Sequence, residues 1–284
     1  MRKGSTAGLR TSRFLFLTGT VFIAIIIAAA SLAIWQLHGD RIADEMTDTQ
    51  HLGIVLAEQT ARTIQAVDLI VQETQTMVLA AGVANPDQFR QRMATEGIHQ
   101  FLQDRLRSLP QADAVSIIDD AGKIVNFSRT WPVPPIDTSD RDFFSYLRDH
   151  DDPRPFIGVP VINKVTGAWV ITLTRRISGP HGEFIGIVLG VIDTRYFENF
   201  WATSISATGS VALFRRDGIL LARYPRVEKM IGQPISSKSP WYEAAASGGK
   251  TYRSPSYLDG IARIVSVELV HGLRIPVNVI SHSG

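Results

Sequence analysis

The sequence predicts an α+β fold: an N-terminal transmembrane helix, a long stalk helix and two tandem lobes built on antiparallel sheets. Three observations predict it. Residues 14–37 (FLFLTGTVFIAIIIAAASLAIWQL) form an uncharged run of 24, and residues 38–82 hold no proline and space their apolar side chains by three and four. A pattern of apolar strand, charged turn with glycine and apolar strand occurs twice, as VSIIDDAGKIV at 115–125 and VALFRRDGILL at 211–221.

At ~1.5 Å per residue the first run reaches roughly 36 Å as a helix, enough to cross a ~30 Å hydrocarbon core with some tilt. Ile23, Ile25, Ile26 and Ile27 leave it without the polar stripe of a globular helix. Arg2, Lys3, Arg10 and Arg13 precede it with no acid, whereas Asp40, Arg41, Asp44, Glu45 and Asp48 follow. The positive-inside rule then places residues 1–13 in the cytoplasm as a short tail, with residues 14–37 spanning and the rest outside. A cleaved signal peptide shares the basic start, but its apolar region runs only ~7–15 residues, and Trp35 suits a membrane interface. The predicted topology is a single membrane pass with the rest of the chain extracytoplasmic.

The formal charge of +2 hides an asymmetry. Four basic residues lie in the tail, leaving 25 against 27 acids in the remainder. No basic face or run with interleaved aromatics is present, so nucleic acid is not an expected partner. Without cysteine there are no disulfides or thiolate metal sites. The seven histidines show no HExxH spacing and no serine lies in GxSxG, so neither a zinc nor a hydrolase site is expected. AAASGGKT at 244–251 lacks the first glycine of a phosphate loop and runs from helix to strand, the reverse of the required order. No enzyme, metal or cofactor is predicted.

Residues 38–84 form the stalk helix, with Leu52, Val55, Leu56, Ile64, Val67, Ile70, Val71, Met77 and Val78 recurring at helical spacing. Asn85-Pro86 breaks it, and residues 87–107 resume as one helix. From Ala114 the period changes to that of strands: 115–118 and 123–128, later 170–176 and 184–193. Between these pairs lies a proline-rich excursion with a short helix at 140–149, for which Ser139 is the candidate cap and Asp142 its capping-box partner. A helix at 194–204 joins the lobes. The second lobe repeats the order, with a short helix at 241–246 and strands at 261–268 and 275–281. The predicted lobes are 85–204 and 205–284.

This order, behind a stalk and a membrane span, resembles the double Cache (tandem PAS-like) sensor domains of bacterial transmembrane receptors, as found in diguanylate cyclases and sensor histidine kinases. The residues carrying the resemblance are IDTSDRDFF at 136–144, FIGVPVINKVTGAWVITLTRRI at 156–177, FIGIVLGVIDTRYF at 184–197 and GILLARY at 218–224. It implies that both lobes are PAS-like, 85–204 distal to a bacterial inner membrane and 205–284 proximal to it, and that the distal one holds a small molecule between its sheet and the helical excursion. It also implies a homodimer through the stalk and signal transmission across the membrane. Such receptors re-enter the membrane after the second lobe. This sequence shows no second apolar run, so the output domain is expected outside it, on a longer chain or a partner.

Amino-acid-binding members carry an arginine, an aromatic pair two and three residues on, a tyrosine and aspartate in the next strand and an aspartate after the last one. Arg141, Phe143 and Phe144 match the first part. Val161 and Asn163 stand at the tyrosine and aspartate, and Val191 at the last aspartate, with Asp193 two places on. The ammonium-binding half is depleted, which points to a carboxylate or other small anion. A guanidinium at a helix start suits that class; its alternative is a surface pair with Asp137, Asp140 or Asp142. Phe143, Phe144 and Trp131 either wall a pocket or are plain core. Asn163 either orients a ligand or begins the turn at 164–167. Arg175 and Arg176 face opposite sides of their strand, so at most one serves a pocket. The candidate ligand residues are therefore Arg141, Phe143, Phe144, Trp131, Asn163 and Asp193. A tethered extracytoplasmic enzyme or a partner-binding module is the alternative function.

Overall fold

The computed structural model describes residues 6–206, 208–254, 263–270 and 275–282. The chain divides into two units, 1–48 and 49–282. In the first, the helix α1 (Thr6–Ala80) begins. Its described side chains from Phe22 to Trp35 are exposed, and it is long and apolar enough to cross a membrane, an 18-residue stretch of it having a mean hydropathy of 1.8.

In the second unit, α1 buries Leu56, Ile64, Val67, Val71 and Val78 in the main core. Those positions are spaced by eight, three, four and seven, which places one stripe of the helix on the sheets. Helices α2 (Pro86–Met93) and α3 (Glu96–Arg107) follow. They replace the single helix expected over 87–107, because Thr95 is extended and its hydroxyl accepts from Ile98 N–H, starting a new helix.

The sheets of the first and second lobes are labelled distal and proximal after their expected positions; the distal one contains β1 (Ala112–Asp119), β2 (Ile124–Phe127), β3 (Phe156–Ile157), β4 (Val161–Ile162), β5 (Trp169–Ser178) and β6 (Phe184–Asp193). Its order is β2-β1-β6-β5-β3, with β4 also on β5, and every pairing is antiparallel. Helix α4 (Asp142–Asp149) lies in the excursion. Strand alternation divides the sheet cleanly: Val115, Ile117, Ile171 and Val188 join the core under α1, whereas Ala114, Ile118, Leu189 and Val191 pack with Phe143, Phe144 and Leu147 of α4.

The proximal sheet repeats this wiring. Helix α5 (Thr194–Ala202) leads to β7 (Ser210–Phe214) and β8 (Leu220–Tyr224), then α6 (Trp241–Ala246), β9 (Gly249–Ser254), β10 (Arg263–Val270) and β11 (Ile275–His282). The order β8-β7-β11-β10-β9 matches the distal β2-β1-β6-β5-β3 strand for strand. The AAASGGKT stretch ends α6 and opens β9, with Gly248 and Gly249 at positive φ.

Candidate ligand-binding site

The cavity lies between the distal sheet and its excursion. Its floor is apolar over most of its extent, with Ala114 from β1, Val170 from β5 and Leu189 and Val191 from β6. Its roof is formed by residues 136–143 and 161–165, including Arg141, Phe143 and Lys164. The volume is about 70 Å³. One buried water needs roughly 10–15 Å³ on this measure, so there is room for a handful of heavy atoms.

Arg141 is the N-cap of α4. This displaces the expected cap: Ser139 instead bonds Asp137 through both its N–H and its hydroxyl, and the helix starts at Asp142. The Asp142 carboxylate turns back on the Phe143 N–H at 2.9 Å and accepts from Val159 N–H at 2.9 Å. The Arg141 side chain is only 19% exposed, and its nearest acid is Asp140, with Nε 3.6 Å from Oδ1. Among the described residues its guanidinium makes no hydrogen bond. A covered cation with five N–H donors and such a distant counter-charge leaves its bidentate edge open for an anion.

Lys164, the other cation of the lining, is already committed. Its Nζ donates to the Asp137 carbonyl at 2.7 Å and to Asp140 Oδ1 at 3.2 Å, strapping the 163–167 turn to the segment before α4. Asp137 is held below the usual carboxylate range by the Ser139 hydroxyl and N–H. The lining contains no aspartate or glutamate. Ser116 and Thr172 also line the cavity, but their hydroxyl oxygens are fully buried and, among the described residues, without a hydrogen-bond partner.

Of the six residues singled out from sequence, Arg141, Phe143 and Asn163 line the cavity. Asn163 also builds the turn, its Oδ1 accepting from Val165 and Thr166 N–H while its Nδ2 donates to Asp113 Oδ2 at 3.2 Å. The other three lie elsewhere. Phe144 packs edge-on against Phe184, Trp131 stacks on His99, and Asp193 caps α5 and pairs with Arg195. Burial pushes the Asp193 carboxyl up, but the hydrogen bonds and charge of Arg195 outweigh it, and the net direction is down. Arg175 and Arg176 do face opposite sides: Arg175 forks onto Asp68 of α1 with two bonds of 2.8 Å, and Arg176 donates to the Leu147 and Arg148 carbonyls at the end of α4. Sequence reasoning missed Ser116 and Thr172, whose only signal is a hydroxyl in an otherwise apolar alternation.

A Cache domain family model matches residues 40–275. The chain belongs to the Cache domain family. Among solved structures it is similar to the extracellular domain rpHK1S-Z16, named for a histidine kinase, at 26% identity and a TM-score of 0.71, covering 85% of this chain and 96% of that one. The ligand-binding domain of the Pseudomonas fluorescens chemoreceptor CtaA, in complex with L-isoleucine, is similar at 15% identity and TM-score 0.59, covering 86% of this Cache chain and 95% of CtaA's. That of the Campylobacter jejuni chemoreceptor Tlp3, in complex with L-valine, aligns at 16% and 0.53, covering 85% and 94%. No curated protein matches the sequence.

Proposed function

We propose that this Cache chain is the sensory part of a single-pass receptor of a bacterial inner membrane. Residues 1–13 lie in the cytoplasm and the lobes outside. The distal cavity binds a small carboxylate or other small anion, and the signal passes to an output domain of diguanylate cyclase or histidine kinase type beyond this sequence. The observation that carries the reading is a covered, hydrogen-bond-free Arg141 over a cavity whose lining has no acid. An α-amino acid needs a partner for its ammonium as well as for its carboxylate, and the walls at Val161 and Val191 offer none. The amino-acid complexes of CtaA and Tlp3 support the kind of activity but not the ligand.

Transmission rests on α1, which carries both the apolar span and the buried seam against the sheets. Its outward residues Val55, Leu69 and Leu79 are exposed and fall on a and d positions of one heptad frame, which supports a homodimer along the stalk. Ligand binding shifts the pair between two arrangements. Thermal melts of the full chain in detergent micelles test the binding. Acetate, propionate or lactate at ~100 times its dissociation constant raises the melting temperature by roughly 5–10 °C. Arg141→Ala removes the response. No response to any small carboxylate overturns the reading.

A further inference from the structure

Arg141 is flanked by acids, yet none of them holds its guanidinium. Asp137, Asp140 and Asp142 all lie within four residues of it, and each carboxylate is engaged elsewhere. Asp137 accepts from the Ser139 N–H and hydroxyl at 2.8 and 2.6 Å. Asp140 accepts from Lys164 Nζ at 3.2 Å and stays 3.6 Å from Arg141 Nε. Asp142 does not line the cavity. Its Oδ1 accepts from Phe143 N–H at 2.9 Å, and its Oδ2 from Val159 N–H at 2.9 Å and Arg215 Nη1 at 3.0 Å. The first two acids are thus satisfied from within the first lobe. The third depends on a residue of the second, because Arg215 directly follows β7 in the turn to β8.

The Arg215 side chain is well anchored for this reach. Its Nη1 also donates to the Ile157 carbonyl at 3.0 Å, its Nη2 and Nε hold Asp217 at 2.7 and 3.0 Å, and its guanidinium lies 5.8 Å from the Phe156 ring centre. Without Arg215, Asp142 would keep only the two neutral backbone donors. An arginine followed by an aspartate has the reach to pair: Arg148-Asp149, the same dipeptide at the other end of α4, is joined by bonds of 2.8 and 3.2 Å. A carboxylate of the protein on Arg141 would occupy the fork of donors that an anion needs. We infer that Asp142 is a built-in competitor for Arg141, and that Arg215 of the second lobe holds it off. Two arrangements follow. With Asp142 on Arg215 the arginine of the cavity is open; with Asp142 on Arg141 it is closed and the bridge between the lobes is broken. An anion binds only the first, so by linkage it strengthens the bridge as much as the bridge strengthens its binding. This rests on the anion reading above and adds to it a switch through which the second lobe controls the site.

The test is calorimetric titration of acetate, propionate and lactate into the full chain in detergent micelles. Arg215→Met weakens binding of whichever probe the unaltered chain takes best by at least about fivefold, the worth of one net hydrogen bond. Adding Asp142→Asn, which keeps one acceptor oxygen but no charge, restores the affinity to within about twofold of the unaltered chain. An Arg215 that merely braced the fold could not be rescued in this way, because the second substitution removes further bonds to the Phe143 and Val159 N–H groups. Where Arg215→Met does not fold, Arg215→Gln, neutral but still able to donate, takes its place in the same comparison. Undiminished binding without Arg215, or a loss that Asp142→Asn leaves uncorrected, overturns the inference. If Arg141→Ala then still abolishes binding, the anion reading stands without it. If no probe binds through Arg141, both fall.

Discussion

Gly158 shows how closely the walls of the cavity are fitted. Its N–H donates to the Thr172 carbonyl at 3.0 Å, and a Cβ placed there would lie 2.3 Å from Thr172 Oγ1 and 3.1 Å from Asp142 Oδ1. Threonine is stiff at χ1, so its hydroxyl cannot simply swing clear. Gly158→Ala should therefore cost about 1–3 kcal/mol of stability through overpacking, read as a lowered melting temperature. It should also weaken ligand binding by displacing Thr172, which lines the cavity. Unchanged melting would mean that the strand can retreat. Arg141 was legible in the sequence because a basic residue at a helix start, followed by an aromatic pair, has a physical meaning of its own. Ser116 and Thr172 were not: alternation reveals which face of a strand is covered, but not where on that face a hollow lies. Phe143 and Phe144 make the same point, since both are buried and only the first reaches the cavity.

Helix α4 is held at both ends. At its C-terminus Arg176 donates to the Leu147 and Arg148 carbonyls, a cation where the helix dipole favours one. At its N-terminus Asp142, next to Arg141, accepts from Arg215 Nη1 at 3.0 Å. Arg215 follows β7 in the proximal lobe and also donates to the Ile157 carbonyl and to Asp217. One guanidinium thus joins the proximal hairpin to the start of the helix that presents Arg141. Arg215→Met should cost about 1–3 kcal/mol, because charged hydrogen bonds are lost from a side chain only 19% exposed. The pH dependence follows from Asp217. Burial raises its carboxyl, but the bond and charge of Arg215 outweigh it, and the net shift is downward. A lowered carboxyl contributes stability that is complete above its unfolded value of ~4 and is lost as pH falls through the folded one. In the Met variant that acid limb should flatten in melts taken across the range, whereas an unaltered limb would assign the shift elsewhere. Elements of this length were legible from periodicity. β3 and β4, of two residues each, fall below any period, and the break between α2 and α3 depends on one threonine.

On the scale of the whole molecule, the paired hairpins in the sequence were a sound guide to the architecture. The strand orders coincide in both sheets because the same apolar alternation was written twice. What the pattern could not supply was the arrangement of α1, whose buried and exposed apolar residues have the same composition and differ only in what lies beside them. Leu69 is 53% exposed on the side away from the sheets, and the chain has no cysteine to confuse a crosslink. Leu69→Cys in the full chain, in membranes under mild oxidation, should yield a disulfide-linked dimer. Thr166→Cys, on the exposed turn beside the cavity, should not. Monomer alone at both positions would count against the stalk pairing.

Both lobes begin their short helix with an aromatic pair, Phe143-Phe144 and Trp241-Tyr242. In the distal copy the residue before the helix is Arg141, above a hollow. In the proximal copy it is Pro240, and Trp241 sinks fully into the core against Phe214. Two copies of one wiring thus differ in what the short helix covers: a change in a few floor residues alters the hollow of one and leaves the filled core of the other as it was.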